Sequence, residues 1–311
     1  MSSAGGPSRC RVVAVVGPTA TGKTDLAVQL AQAMGAEVVN ADAMSLYRGM
    51  DIGTATPTLQ ERRGVPHHLF DLWDVRHSAS VAEYQSVARD RIDGLHHRST
   101  LAVLVGGSGL YLRAAVDDLV FPGTDPTVRQ RLEDELEALG PYALHRRLAQ
   151  VDPRAAAEIL PGNGRRVVRA LEVVEITGGP FAATLPQPRP YYDAVYLGLD
   201  LAADVLADRI RRRVDAMWRR GLVAEVAELI PRGLREGRTA SRAVGYRQVL
   251  DMLAGECTEE EAREETVRAT RRLARRQRAW FRRDPRIHWL GTDAGDRLDE
   301  ACKLLAPTIE V

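Results

Sequence analysis

The stretch RVVAVVGPTATGKTDLAVQLAQAMG, residues 11–35, leaves this chain few folds to choose from. A β-branched run stops at Gly17, and a run beginning near Lys23 carries Leu26, Leu30 and Met34 on one helical face. Between them lies GPTATGKT, residues 17–24, the GxxxxGK[ST] pattern of a phosphate-gripping loop. A chain of this composition produces that pattern by chance about once in a thousand sequences. Gly17 and Gly22 let the backbone turn its N–H groups inward, and the following helix adds its positive end. Lys23 supplies a mobile cation, and Thr24 a hydroxyl for Mg²⁺. Gly17, Pro18, Thr19, Ala20, Thr21, Gly22, Lys23 and Thr24 are therefore expected to hold a diphosphate. By motif alone the nucleotide would be ATP.

Strand, glycine loop and helix in that order predict a parallel sheet. Three more apolar runs, at 36–42, 100–107 and 194–200, have the continuous character of strands covered on both faces. Ser80 with Glu83 three residues later predicts the start of a crossover helix. From 123 to 189 the strand pattern stops and prolines 126, 141, 153 and 161 punctuate helical runs. The expectation is an α/β core, 11–122 with 190–311, interrupted by a small all-helical insertion domain, 123–189.

No stretch of about 18 uncharged apolar residues exists to cross a membrane, and MSSAGGPSRC lacks the apolar core of a signal peptide, so a cytoplasmic protein is expected. Cys10, Cys257 and Cys302 lie far apart, without metal-ligand spacing. The net charge of +1 hides an unusual cation usage, since 41 of the 43 basic residues are arginine. One of the two lysines is the one inside GPTATGKT.

A P-loop kinase or ATPase adds an apolar strand ending in Asp to hold its metal. Here the most apolar run, LAVLVGG, ends in GGSGLY. Asp42 and Asp200 are the acids left at strand ends, where ligands collect in a parallel sheet. Asp42 opens NADAMSLYRGMDIGTATPT, a polar segment too long for a simple connection. Capping of the next turn is the alternative role for Asp42.

Taken in order, GPTATGKT, ADAMSLYRGMDIGTATPT, VPHHLFD, LVGGSGLYL, RRVVRALEV, AVGYRQ and ARRQRAWFR make the chain similar to the tRNA dimethylallyltransferases over residues 11–290. The resemblance implies a P-loop NTPase-like fold whose loop holds dimethylallyl diphosphate in place of ATP. It implies transfer of the prenyl group to N6 of adenosine 37, beside the tRNA anticodon, by a monomer using Mg²⁺ bound near Thr24. It places Lys23, Asp42 and Ser108 in catalysis, Asp42 as the proton acceptor and Ser108 where the family usually has Thr. Arg209 and Arg213, four apart on one helix, are implied as diphosphate ligands. Implied tRNA contacts are Asp42, Ala43, Met44, Ser45, Tyr47, Ser108, Arg129, Arg165, Arg166, Arg169, Arg275 and Arg276. Ser45, Thr56, Leu273 and Ala279 depart from the residues usual in the family.

Charge segregation supports an RNA partner. Residues 258–267 carry five Glu and one Arg, and residues 268–283 carry eight Arg with no acid, ending on Trp280 and Phe281. Thr258 and Glu261 form a second capping-box signature, and the same polarity suits the helix dipole. His67 and His68, being adjacent, point to different sides and receive no catalytic role. His96 and His97 read as solvent-facing residues of a helix end. Three other activities compete: a small-molecule kinase using Asp200, prenylation of free AMP or ADP, and non-catalytic RNA binding.

Overall fold

The structure is a computed structural model that describes residues 12–183, 185–291 and 295–306. Its organising element is a parallel sheet of order β3-β2-β4-β1-β5-β6. The strands are β1 (Val12–Val16), β2 (Glu37–Asn40), β3 (His67–His68), β4 (Ala102–Gly106), β5 (Ala194–Gly198) and β6 (Ile287–Trp289). All five residues of β1 and of β4 are buried, which explains their unbroken apolar sequences. β1 lies between β4 and β5, with Val12 in register with Ala102 on one side and Ala194 on the other. The chain thus leaves β1 to one side for β2 to β4 and returns to its other side at β5. Ligand-binding loops gather at such a reversal of strand order.

Two elements are too short to carry a sequence pattern. β3 has two residues and β6 three, and both are edge strands.

Eight of the described helices belong to the sheet-containing unit: α1 (Lys23–Met34), α2 (Val81–His97), α3 (Gly109–Val116), α8 (Ala203–Arg219), α9 (Leu222–Leu229), α10 (Tyr246–Leu253), α11 (Glu259–Phe281) and α12 (Arg297–Leu305). Both sequence-predicted capping boxes form, Ser80 with Glu83 on α2 and Thr258 with Glu261 on α11. Leu26, Leu30 and Val28 of α1 pack with Val13, Val15, Val38 and Val103 in one core cluster. Burial of that apolar face, worth about 25 cal/mol per Å², fixes α1 and hence the loop that precedes it.

Residues 118–189 form a second compact unit of four helices, α4 (Pro126–Leu139), α5 (Pro141–Val151), α6 (Pro153–Glu158) and α7 (Gly164–Thr177). Proline opens α4, α5 and α6, where its missing N–H costs nothing. Leu132, Leu144, Leu148, Val167 and Leu171 make its core.

Candidate active site

The phosphate loop leaves β1 through Gly17, whose φ of +139° and backbone contact exclude a side chain, because a Cβ there would sit 2.2 Å from the Leu199 carbonyl oxygen. Gly22, at φ +94°, is the left-handed residue that starts α1. Inside the loop the Pro18 carbonyl accepts from Thr21 Oγ1 at 2.8 Å and from Lys23 Nζ at 2.7 Å, so the lysine is folded over its own loop. Desolvation first, and then the Arg213 charge, lower the Lys23 pKa to about 7 against the opposing Asp42 charge. Arg213 of α8 is likewise lowered by desolvation, against the raising effect of Asp42. Two cations and one carboxylate therefore share a poorly hydrated space at the C-terminal edge of the sheet.

Asp42 follows β2 and Ser108 follows β4, which is why they stand side by side. The Asn40 side chain fixes the turn: its Oδ1 accepts from Asp42 N at 2.9 Å, and its Nδ2 donates to the carbonyls of Asp42 (3.1 Å) and Leu69 (3.0 Å). Asp42 Oδ1 accepts from Met44 N at 3.1 Å, so Asp42 does cap its own turn while its carboxylate faces the cations. Ser108 Oγ accepts from Ala43 N at 3.3 Å. Behind them the Tyr84 hydroxyl donates to the Asn40 carbonyl at 3.0 Å, and Tyr111 lies against Tyr84 with ring centroids 4.6 Å apart. Burial first, then nearby anionic groups including Asp42, raises the pKa of both tyrosines, so they stay neutral donors.

The remaining strand-end acid is used otherwise. Asp200 Oδ1 accepts from Arg278 Nε and Nη2 at 2.9 and 2.7 Å, and Oδ2 from Arg282 Nη2 at 3.0 Å. Among the described residues no group of three or more His, Cys, Asp or Glu is arranged to hold a metal.

Comparison with known proteins identifies the family and the fold. The family model for IPP transferases matches residues 45–284. A tRNA dimethylallyltransferase of Streptomyces coelicolor is 65% identical over 299 residues, covering 96% of this chain and 95% of its own. That of Thermobifida fusca is 62% identical, covering 94% of each. The chain belongs to the IPP transferase family, that of the tRNA dimethylallyltransferases. Its fold matches the crystal structure of the Bacillus halodurans tRNA isopentenylpyrophosphate transferase at a TM-score of 0.72 and 42% identity, with 96% of each chain covered. It also matches a eukaryotic dimethylallyltransferase caught acting on tRNA, at a TM-score of 0.80 and 27% identity, over 96% of this chain and 77% of that one.

Set in this IPP transferase frame, the residues expected at the site separate into groups. Lys23, Asp42, Ala43, Ser108 and Arg213 come together, while Arg209 is exposed on α8. Of the two arginines expected to clamp the diphosphate, Arg213 stands beside Lys23 and Asp42, and Arg209 lies one turn earlier on the same helix. Tyr47, expected as a tRNA contact, packs inside the protein in this structure. It is fully buried, its hydroxyl donates to the His77 carbonyl at 3.2 Å, and its ring meets Trp73 edge-on. Ser45 is buried as well, and Met44 half-buried.

In the helical unit, Arg129 and Arg169 turn inward to the fully buried Glu172, Arg169 at 2.7 Å. Arg165 and Arg166 are exposed, Arg166 also donating to the Ala183 carbonyl. On α11, Arg268 and Arg272 bind Glu265, and Arg278 and Arg282 bind Asp200. Arg275 and Arg276 are exposed and form no ion pair with a described residue. His68 pairs with Glu37 at 2.5 Å, His67 Nδ1 lies 2.9 Å from the Val65 carbonyl, and half-buried His96 stands edge-on to Tyr192 instead of facing solvent. Cys257 and Cys302 are free thiols; Cys10 lies outside the described residues.

One residue of the site was missed from sequence. Gln277 of α11 is buried, and its Oε1 accepts from Thr19 N at 2.9 Å. Its amide also fills the space over Gly107, while Trp280 covers Gly109. The partners are 258 residues apart, and no local pattern links them.

Proposed function

We propose that this enzyme transfers the dimethylallyl group of dimethylallyl diphosphate to N6 of adenosine 37 of tRNA, releasing diphosphate. The observation that carries the reading is the pairing of Lys23 with Arg213, two desolvated cations of lowered pKa facing one carboxylate. Such a pair gains most from an anion that arrives, or builds up charge, between its members. As the allylic C–O bond breaks, its electron pair goes to the diphosphate, and the loop amides, Lys23 and Arg213 stabilise that growing charge.

N6 attacks the freed carbon and forms the new C–N bond. Its proton passes to the Asp42 carboxylate, which the Asn40 and Met44 hydrogen bonds hold in place. Ser108 orients the amine or a diphosphate oxygen. The residues suit Mg²⁺ held mostly by substrate: the Thr24 hydroxyl makes no hydrogen bond to another described residue, and no carboxylate cage exists among them. Thr24 with diphosphate oxygens would hold the ion, which supplies charge neutralisation of the leaving group.

Arg275 and Arg276 are the natural phosphate contacts for tRNA, and the helical unit of residues 118–189 adds Arg165 and Arg166 as a second RNA-facing group. A small-molecule kinase is disfavoured because Asp200 is spent on Arg278 and Arg282. No described helix is long and apolar enough to cross a membrane. A monomer working in the cytoplasm completes the reading.

Incubation with Mg²⁺, labelled dimethylallyl diphosphate and either bulk tRNA or AMP tests it. Label is expected in tRNA alone. Label in AMP, or ATP consumption without prenyl transfer, overturns it. Asp42→Asn is expected to retain diphosphate binding while turnover falls about a hundredfold, as for a lost general base; unchanged turnover removes Asp42 from the chemistry.

A further inference from the structure

Beyond Asp42 the same long connection runs into a turn at residues 51–54 that the reaction, as described, does not use. Three consecutive backbone N–H groups, those of Asp51, Ile52 and Gly53, donate to the Glu225 carboxylate at 3.1, 2.7 and 3.3 Å. The Tyr246 hydroxyl donates to the same carboxylate at 2.5 Å. Gly53 rests on the Tyr246 ring so closely that a Cβ would lie 2.3 Å from it. Among the described residues Glu225 forms no ion pair, although the chain has 41 arginines. Its charge is spent on holding the turn. That choice opposes Asp51, whose carboxyl pKa is raised by burial, then by Asp71 and by Glu225 itself.

The next residue shows what the clamp achieves. The Thr54 carbonyl accepts from Arg213 Nη2 at 3.2 Å, so the turn fixed by Glu225 presents the oxygen that orients the cradle arginine. Thr54 is pinned again through Oγ1, 2.5 Å from the Met50 carbonyl and 2.9 Å from Thr56 Oγ1. A guanidinium on a long side chain loses much rotamer freedom when held, and without an orienting acceptor Arg213 would turn away from Lys23, whose like charge repels it. We propose that Glu225, seated by Tyr246, is a positioning residue for diphosphate capture and acts through Arg213. This rests on the reading that Arg213 grips the diphosphate.

The test is a double-mutant cycle read with inorganic pyrophosphate and Mg²⁺ by titration calorimetry, and by the KM for dimethylallyl diphosphate at saturating tRNA. Glu225→Gln is expected to weaken pyrophosphate binding and raise KM about tenfold, with a smaller change in kcat. Tyr246→Phe, which removes one hydroxyl, is expected to move both in the same direction by about threefold. In an Arg213→Ala background neither substitution should weaken binding further, because the path to the anion is already cut. Losses that add in the double variants, or single variants with unaltered pyrophosphate affinity, overturn the proposal. If Glu225→Gln does not fold, Tyr246→Phe with and without Arg213→Ala completes the same comparison. Should Arg213→Ala itself leave pyrophosphate binding intact, the diphosphate role of Arg213 falls and this inference falls with it. If Arg213→Ala weakens binding but the losses add, only the inference falls.

Discussion

Arg213 and Arg286 are both partly buried arginines of the sheet-containing unit, yet their surroundings drive them in opposite directions. Arg286 meets Asp117 at 2.6 and 3.2 Å and Asp284 at 2.7 Å, and lies 4.5 Å from the centre of the Tyr196 ring. Arg113 completes the cluster, 2.7 Å from the fully buried Asp117. Burial works against the Arg286 charge, but its hydrogen bonds to Asp284 and Asp117 outweigh that cost, and its pKa rises. Arg213 meets a carbonyl and a neighbouring lysine, and although the Asp42 charge works to raise its pKa, desolvation outweighs it and the pKa falls. The first cluster is electrostatically closed and serves folding; the second sets two cations against the single Asp42 carboxylate and is left open to an anion. Perturbation alone does not mark a site, but perturbation that neighbouring charges leave uncompensated points to one.

The comparison breaks most visibly at Lys23. Lys23→Ala should cut single-turnover prenyl transfer about a thousandfold, the scale of a lost preorganised charge, while leaving the urea midpoint equal or higher. A loss under about tenfold would place Lys23 outside the machinery. Asp117→Asn should behave in reverse. Arg113 would then lose its carboxylate and Arg286 would keep only Asp284, and unfolding free energy should drop by about 3 kcal/mol in urea titrations, with pyrophosphate affinity retained.

The open cluster also predicts a pH dependence. With its pKa near 7, free Lys23 loses its proton as pH rises from 6 to 8, and the anion needs the protonated form. Pyrophosphate binding should weaken by up to about tenfold per unit above pH 7, and calorimetry in buffers of different ionisation enthalpy should show proton uptake. The stability sign is opposite. The folded value lies below the ordinary 10.5, so between about 7 and 10.5 the unfolded chain binds more protons, and this group makes stability rise with pH. Lys23→Ala should abolish both trends. The smallest effect is expected at the surface: replacing Arg275 and Arg276 by Gln should lower the salt slope of tRNA binding by up to about one log unit per lost contact, with stability changed by less than about 0.5 kcal/mol.

The open cluster was legible in sequence because its parts sit at strand ends and in a motif. GPTATGKT, Asp42 after β2 and Ser108 after β4 are each adjacent to an apolar run that announces its strand. The closed cluster was not legible, since Asp117 and Arg286 are 169 residues apart and each looks like any surface charge. The same holds for Gln277 and Glu225, whose partners are backbone N–H groups far along the chain. A rotation of 400° over the four residues from Arg209 to Arg213 leaves them on slightly different faces, and it is Arg213 that stands beside Lys23. The burial of Tyr47 has no signal in sequence, because a polar tip on an aromatic ring gives no hint of it.

The rim of the sheet is built to tolerances smaller than a methyl group. A Cβ on Gly17 would meet the Leu199 carbonyl oxygen at 2.2 Å, and one on Gly106 would meet that of Ala41, the residue before Asp42, at 2.4 Å. Both collisions are between main chains, which cannot swing aside as side chains do. Adding one carbon at Gly106 would therefore displace Asp42 without altering its side chain, and the geometry here is guarded as strictly by hydrogens that must stay small as by the side chains they hold in place.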